Sequence, residues 1–233
     1  MWPGDPLILR ARGYGMKIGI IGAGHIGGTL TRRFEELGHD VSVANSRGPE
    51  TLGDFAAETG AKAVTVKDAV RDKDVVIVTI PEKSIPDLPD DLFDGARSDT
   101  VVVDTGNYYP RRDGRIDAIE DGTPESKWVS EQLGRPVVKA FNNIVARHLL
   151  EGGRPAGDPH RIALPVAGDD AAAKQVVMRL VDELGFDAVD AGTLDNSWKQ
   201  QPGTPVYAAD LDAAGVRRAL SEAPPERPAG FRR

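Results

Sequence analysis

Residues 17–30 read KIGIIGAGHIGGTL, a short apolar run that opens directly into Gly22, Gly24, Gly27 and Gly28. Glycine is costly in regular structure because it loses the most conformational freedom on folding. Its concentration here needs a local reason. Gly22-Ala23-Gly24-His25-Ile26-Gly27 fits G-x-G-x-x-G, between an apolar strand and an amphipathic helix. In that setting Gly22 permits a tight turn, Gly24 lets the backbone approach a pyrophosphate, and Gly27 lets helix and strand pack closely. The helix N-terminus, with the backbone of His25 and Ile26, then offers unpaired N–H groups and a positive dipole end to the anion. The expectation is a dinucleotide-binding loop and not a merely structural turn.

The rest of the chain repeats the pattern. Strands are expected over 18–21, 40–44, 63–66, 75–80, 100–103, 137–141, 162–167 and 186–191. Helices are expected over 26–37, 51–59, 143–150 and 171–184. Continuous apolar strands alternating with helices argue for a parallel sheet covered on both faces. The expected fold is therefore α/β, a Rossmann-type doubly wound, mainly parallel sheet of about eight strands with helices on both faces. Residues 16–221 are read as one NADP-binding domain with a short C-terminal extension. Residues 1–15, rich in Pro and Gly, read as a disordered extension. Periodicity fades after Asp195, and 222–233 (EAPPERPAGFRR) read as a flexible tail.

Composition narrows the class. The 233 residues are 40% apolar and 28% charged, as in a globular protein, with a net charge of -7. That charge disfavours a general nucleic-acid surface, which needs a basic face. No apolar run approaches a membrane span of roughly eighteen residues. Absence of cysteine excludes disulfides, thiolate metal sites and a cysteine nucleophile. No secretory signal is recognised, so the cytoplasm is the expected location. No H-x-x-E or HExxH pattern occurs, and no metal site is expected.

Ligands of open parallel sheets lie beyond the carboxyl ends of the strands. An NAD site usually places a carboxylate at the end of the second strand. Here VSVA runs into Asn45, Ser46 and Arg47. A hydroxyl and a guanidinium suit the 2′-phosphate of NADP. On the same edge, Thr79, Ile80 and Pro81 are expected to line the adenosine or nicotinamide ribose. Asn107, Ala140 and Asn142 are expected to bind the cofactor, the two asparagines as hydrogen-bond partners of the nicotinamide carboxamide or of the redox partner. Tyr108 and Tyr109 suit either stacking on a planar ring or loop packing. Capping is an alternative for Asn142 and Asn143, and is the preferred reading for Asp169 and Asp170. His25 suits a phosphate contact or a solvent-facing position. His39 reads as a surface residue, and His148 and His160 show no partner. Trp198 suits a wall of the partner's pocket, an apolar seam or a contact in a homodimer.

The chain resembles the NADPH-dependent F420 reductases, the F420H2:NADP oxidoreductase family, and related dinucleotide-binding oxidoreductases. The stretches that carry the resemblance are KIGIIGAGHIGGTL, Ser46-Arg47, VVIVTIP, VVVDTGNYY, VVKAFNN, LPVAGDD and DAGTLDNS, spread over residues 16–198. It implies a Rossmann domain, NADP(H), and hydride exchange with a small planar redox partner, most simply coenzyme F420. It also brings the region of Trp198 to the active-site cleft. Two departures bear on the partner: the DTGNYYP loop is polar and aromatic, and the region after Asp195 is short. Two other functions fit the same residues. One is an NADPH-dependent reductase of a flavin, quinone, ferric chelate or small carbonyl or imine, the last needing a proton donor such as Tyr108 or Tyr109. The other is a non-catalytic NADP(H)-sensing protein. No catalytic residue is assigned from the sequence.

Overall fold

The computed structural model describes residues 15–225. The segment 1–14 and residues 226–233 of the expected tail lie outside the described residues.

Six strands form one all-parallel sheet: β1 (Lys17–Ile21), β2 (Asp40–Ala44), β3 (Lys62–Ala63), β4 (Val75–Val78), β5 (Val101–Asp104) and β6 (Val138–Lys139). Their order is β3-β2-β1-β4-β5-β6. The winding direction reverses between β1 and β4, which opens the crevice where such sheets bind ligands. Two further strands, β7 (Ala163–Val166) and β8 (Asp187–Asp190), form a separate parallel pair. The eight expected strands are thus all present, but as six plus two. The two sheets touch through one antiparallel bridge, Lys139 to Ala167.

The apolar strands are explained by two cores, one on each face. Ile18, Ile20, Val41, Val43, Ile77 and Val103 face α1 (His25–Glu36) and α7 (Ala171–Glu183). Ile21, Val76, Val78 and Val102 face α5 (Glu125–Leu133) and the loops beside it. Helix α7 starts where Asp170 caps it, accepting from the N–H groups of Ala172 and Ala173. A third, smaller core packs α8 (Ala213–Ser221) on β7 and β8.

Element edges differ where polar groups intervene. The expected helix over 51–59 begins as a 3-10 turn (Pro49–Leu52) before α2 (Gly53–Thr59). Helix α6 is shorter than expected (Ala146–Glu151), because residues 141–145 turn at the sheet edge. Beyond Asp195 the chain forms a 3-10 segment (Leu194–Gln200) and α8, neither of which was expected. Among the described residues no helix is long and apolar enough to cross a membrane.

Candidate functional site

The glycine loop divides its work as its spacing implies. Gly22 has φ +110, and its N–H donates to Ala44 O at 2.8 Å, closing the β1 turn. A Cβ on Gly27 would lie 1.9 Å from Gly22 O and 2.4 Å from Thr79 Oγ1, so this glycine sets the approach of α1 to the loop. A Cβ on Gly24 would meet nothing within 4 Å. Gly24 is also the N-cap of α1, with no side-chain cap and no acidic residue in the first turn. The first-turn N–H groups therefore open onto free space, as an anion cradle requires. His25 is exposed and Ile26 half-buried beside them. An open hollow of about 510 Å³ flanks the loop, lined by Gly24, His25, Arg32, Phe55 and Arg147 among others.

At the end of β2, Asn45 organises the turn. Its Oδ1 accepts from the Arg47 N–H at 2.9 Å, and its amide donates to Thr51 Oγ1 at 2.9 Å. Ser46 and Arg47 are exposed. The Glu50 carboxylate folds back over Gly48: a Cβ there would lie 2.4 Å from Glu50 Oε1. Thr79 is less available than expected. Its hydroxyl donates to Gly22 O at 2.8 Å and so braces the loop from the β4 side. Ile80 and Pro81 stay half-buried next to it.

The expected nicotinamide residues do come together. Asn107 Nδ2 donates to Asn142 O at 2.9 Å, and Asn142 Nδ2 donates to Asn107 Oδ1 at 3.0 Å and to Gln200 O at 2.7 Å. Gln200 Nε2 donates back to Asn142 Oδ1 at 2.9 Å. The two asparagine amides are thus partnered to each other and to the 3-10 segment, not left open. Ala140 is fully buried, and Phe141, also buried, takes φ +62. Such a backbone is uncommon for a bulky residue and turns the chain sharply at this edge. The tyrosines separate. Tyr108 is fully buried, its hydroxyl on Gly114 O and Glu120, and is a packing residue. Tyr109 is half-buried with its hydroxyl on that of Tyr207. Burial and then the Tyr207 hydrogen bond push the Tyr109 pKa well up.

Beneath this loop lies a buried charged cluster. Lys139 Nζ donates to Asp104 Oδ2 at 3.0 Å and to Gly106 O at 2.5 Å. Ser126 Oγ donates to the same Asp104 oxygen at 2.7 Å, and Gly106 N–H donates to Asp104 Oδ1 at 2.8 Å. Glu82 and Glu125 are fully buried nearby. Arg112, from the short α3 (Pro110–Asp113), donates through Nη2 to Glu82 Oε2 at 2.9 Å and to Asn107 O at 2.5 Å. Its guanidinium lies 5.0 Å from the Tyr109 ring centre. Burial acts to lower the Lys139 pKa, but Asp104, Glu125 and Glu82 outweigh it and the ammonium is stabilised. Burial first, then Glu125, pushes the Glu82 carboxyl well above the usual carboxylate range.

A family profile described as "NADP oxidoreductase coenzyme F420-dependent" matches residues 17–108. The solved structure of the hypothetical protein SMa0349 from Sinorhizobium meliloti superposes with a TM-score of 0.72 at 34% identity, covering 89% of this chain and 98% of that one. Residues 17–108 thus carry the domain of that oxidoreductase family, and the chain as a whole is a relative of SMa0349. A candidate F420-dependent NADP reductase from Arthrobacter sp. FB24 shares the fold, with a TM-score of 0.64 at 23% identity over 79% of this chain and 88% of that one. The Escherichia coli K12 protein YjhV is 51% identical over 66 residues, 28% of this chain. That match spans about half of YjhV's own length, 48%.

Within this Rossmann-like fold, Glu82, Arg112, Lys139 and Tyr207 gather at the candidate site without having been singled out in the sequence, and Gln200 joins them from the stretch after Trp198. Two histidines also differ from expectation. His39 is 8% exposed, accepting from Met16 N–H and pairing with Glu183 at 3.0 Å. His148 pairs with Asp210 at 2.5 Å, at the base of the C-terminal excursion.

Proposed function

We propose that this protein is an NADP(H)-dependent oxidoreductase that exchanges hydride with a planar redox partner, coenzyme F420 in the simplest case. The observation that carries the reading is the pairing of two features across the crevice: an uncapped helix N-terminus with free space over Gly24, and a β2 end that carries Asn45, Ser46 and Arg47 in place of a carboxylate. The loop of Gly22, Gly24 and Gly27 would hold the pyrophosphate, with the N–H groups of His25 and Ile26. Ser46 and Arg47 would hold the 2′-phosphate. Ile80 and Pro81 would line the ribose, and the 105–109 and 140–142 turns the nicotinamide. NADPH supplies a hydride at its nicotinamide ring; the protein aligns the two rings and excludes water.

A small carbonyl or imine as acceptor would need a proton donor matched to the operating pH. Tyr108 is buried in packing contacts, and Tyr109 has a pKa pushed well up, which makes it a weak acid. This favours a partner that accepts hydride without a strong side-chain acid. A purely NADP(H)-sensing role predicts nucleotide binding without turnover. The test is NADPH oxidation against F420, FMN, FAD, quinones, ferric chelates and simple carbonyls. F420-linked turnover is expected to exceed the rest; turnover with a carbonyl and none with F420 would overturn the deazaflavin reading. A cytoplasmic setting and a small-molecule partner belong to the same proposal.

A further inference from the structure

Glutamine ends in a primary carboxamide, the group that nicotinamide carries on its ring, with two N–H donors and one acceptor oxygen. Gln200 is fully buried and sets that group on Asn142, its Nε2 donating to Asn142 Oδ1 at 2.9 Å. The other end of the same amide is unmatched. Gln200 Oε1 is buried with no hydrogen-bond partner among the described residues. Ser197 Oγ, from the same 3-10 segment, and Asn143 Oδ1, next to Asn142 in the turn, are buried and unpartnered in the same way. A buried polar atom without a partner costs its full desolvation, so this packing works against itself. The segment that carries Gln200 has little else to hold it. Leu194 packs in the core beside α5 and Val206 in the small core of α8. Between them the buried residues are Ser197, Gln200, Gln201 and Pro202, three of them polar. The segment winds as a 3-10 helix of seven residues (Leu194–Gln200), a geometry with poorer hydrogen bonds that seldom runs beyond three or four. Few buried apolar contacts mark a stretch that opens locally, without global unfolding.

We propose that Gln200 is a built-in competitor of the cofactor's carboxamide: its side chain holds, on Asn142 Oδ1, the position that a nicotinamide amide N–H takes when NADP(H) binds. The inference rests on the reading that the 140–142 turn faces the nicotinamide. Gln200 Nε2 and the nicotinamide amide nitrogen are donors of one kind, and Asn142 Oδ1 is the same acceptor for both. Asn142 Nδ2 also donates to Asn107 Oδ1 at 3.0 Å, so the asparagine amide keeps its orientation when the donor on its oxygen changes. On Asn142 the exchange is one N–H for another. In the segment it is a gain, because Gln200 Oε1 and Ser197 Oγ then reach water. The free protein accepts the nicotinamide half only in the fraction of molecules whose segment has opened, and its apparent affinity is lowered by that fraction. The effect falls on the nicotinamide half alone. The Gln200 side chain bonds Asn142 and, at 3.4 Å, Pro165 O, and neither belongs to the glycine loop or to the β2 end.

The test is direct titration of wild type, Gln200→Ala and Gln200→Met with two ligands: NADPH, and 2′-phospho-ADP-ribose, which keeps every phosphate and lacks the nicotinamide ring. Both variants should bind NADPH on the order of tenfold more tightly than wild type, and the fragment as wild type does. Methionine fills the volume of glutamine without an amide, so it keeps the packing and loses only the hold on Asn142. NADPH affinity unchanged or lowered in both variants, with the fragment bound normally, overturns the proposal and makes Gln200 a structural bridge. If neither variant folds, amide hydrogen exchange on wild type decides. NADPH should speed exchange across residues 194–201 relative to the fragment, as the 3-10 segment gives way. Equal or slower exchange with NADPH refutes the competition. Tighter NADPH binding by the variants, with no turnover on any acceptor, would sink the proposed function and leave this inference standing. Absence of NADPH binding in every form would sink both.

Discussion

Gly24 and Gly27 are three residues apart and answer to different demands. Gly27 cannot carry a Cβ because backbone and the Thr79 hydroxyl occupy that space. Gly27→Ala should destabilise the protein by about 3 kcal/mol or more through overpacking against a carbonyl, read by urea unfolding. Gly24 has free space and an ordinary φ of -76, so nothing in the fold forbids a side chain there. Gly24→Val should therefore leave stability nearly unchanged and abolish NADPH binding. A folded Gly24→Val protein with normal NADPH affinity would remove this loop as the phosphate cradle. Arg47 makes the complementary case for the other end of the cofactor. Its side chain is exposed, and a hydrogen bond to a charged group is worth roughly 1.5–3 kcal/mol, with exposure favouring the lower end. Arg47→Ala should weaken NADPH binding about tenfold and leave NADH nearly unaffected. Glu50 folds over Gly48 in the same loop, and its charge would repel a 2′-phosphate held by Ser46 and Arg47. Glu50→Gln should sharpen the preference for NADPH. Equal loss for both nucleotides in Arg47→Ala would make Arg47 a loop support only.

At the scale of elements, the turn after β5 and the turn after β6 are joined to the 3-10 segment by an amide relay. Asn142 sits at its centre, 4% exposed, donating to Asn107 Oδ1 and Gln200 O and accepting from Gln200 Nε2. Asn142→Ala strips partners from several buried groups at once, at about 1–3 kcal/mol for each group left unsatisfied. A loss near 2 kcal/mol would lower Tm by about 4–8 °C in a chain of this size, measured calorimetrically without nucleotide. The relay also marks where sequence reading stops. The glycine loop was legible because its demands are local: a positive φ, a close approach and a free helix end within six residues. The β2 end was legible by position alone. Asn107 and Asn142 were placed correctly at the strand ends, but their mutual pairing depends on β5 and β6 being neighbours. Gln200 and Tyr207 reach the site across sequence separations of 58 and 98 residues, from a stretch without periodicity. Lys139 and Asp104 did leave a signal: each is a charge closing an apolar run, VVK and VVVD, and a charge at that place in a parallel sheet needs a partner.

Across the whole molecule, Lys139 is where the two sheets meet. Its backbone exchanges hydrogen bonds with Ala167, 2.8 Å from N to O and 3.0 Å in return, which is the bridge from the six-stranded sheet to the segment after β7. Its side chain turns the other way, to Asp104 at the end of β5 and to Gly106. One residue thus fixes the β7–β8 unit to the same edge that carries the candidate site. Removing one member of a buried ion pair costs about 3–5 kcal/mol, because the other is left charged and unpaired. That is a large part of the total stability of an ordinary domain, about 5–15 kcal/mol. Lys139→Met should therefore lower stability by about that 3–5 kcal/mol. Asp104→Asn in the same chain removes the stranded carboxylate, keeps an acceptor for Gly106 N–H, and should recover at least half of the loss. Protonation relieves a stranded Asp104 as pH falls, so the recovery should be larger at about pH 8 than at about pH 5. Urea unfolding of the single and double variants at both pH values is the measurement. Additive losses in the double variant, with no dependence on pH, would show that the cluster is not electrostatically joined and that Lys139 serves the edge by its backbone alone.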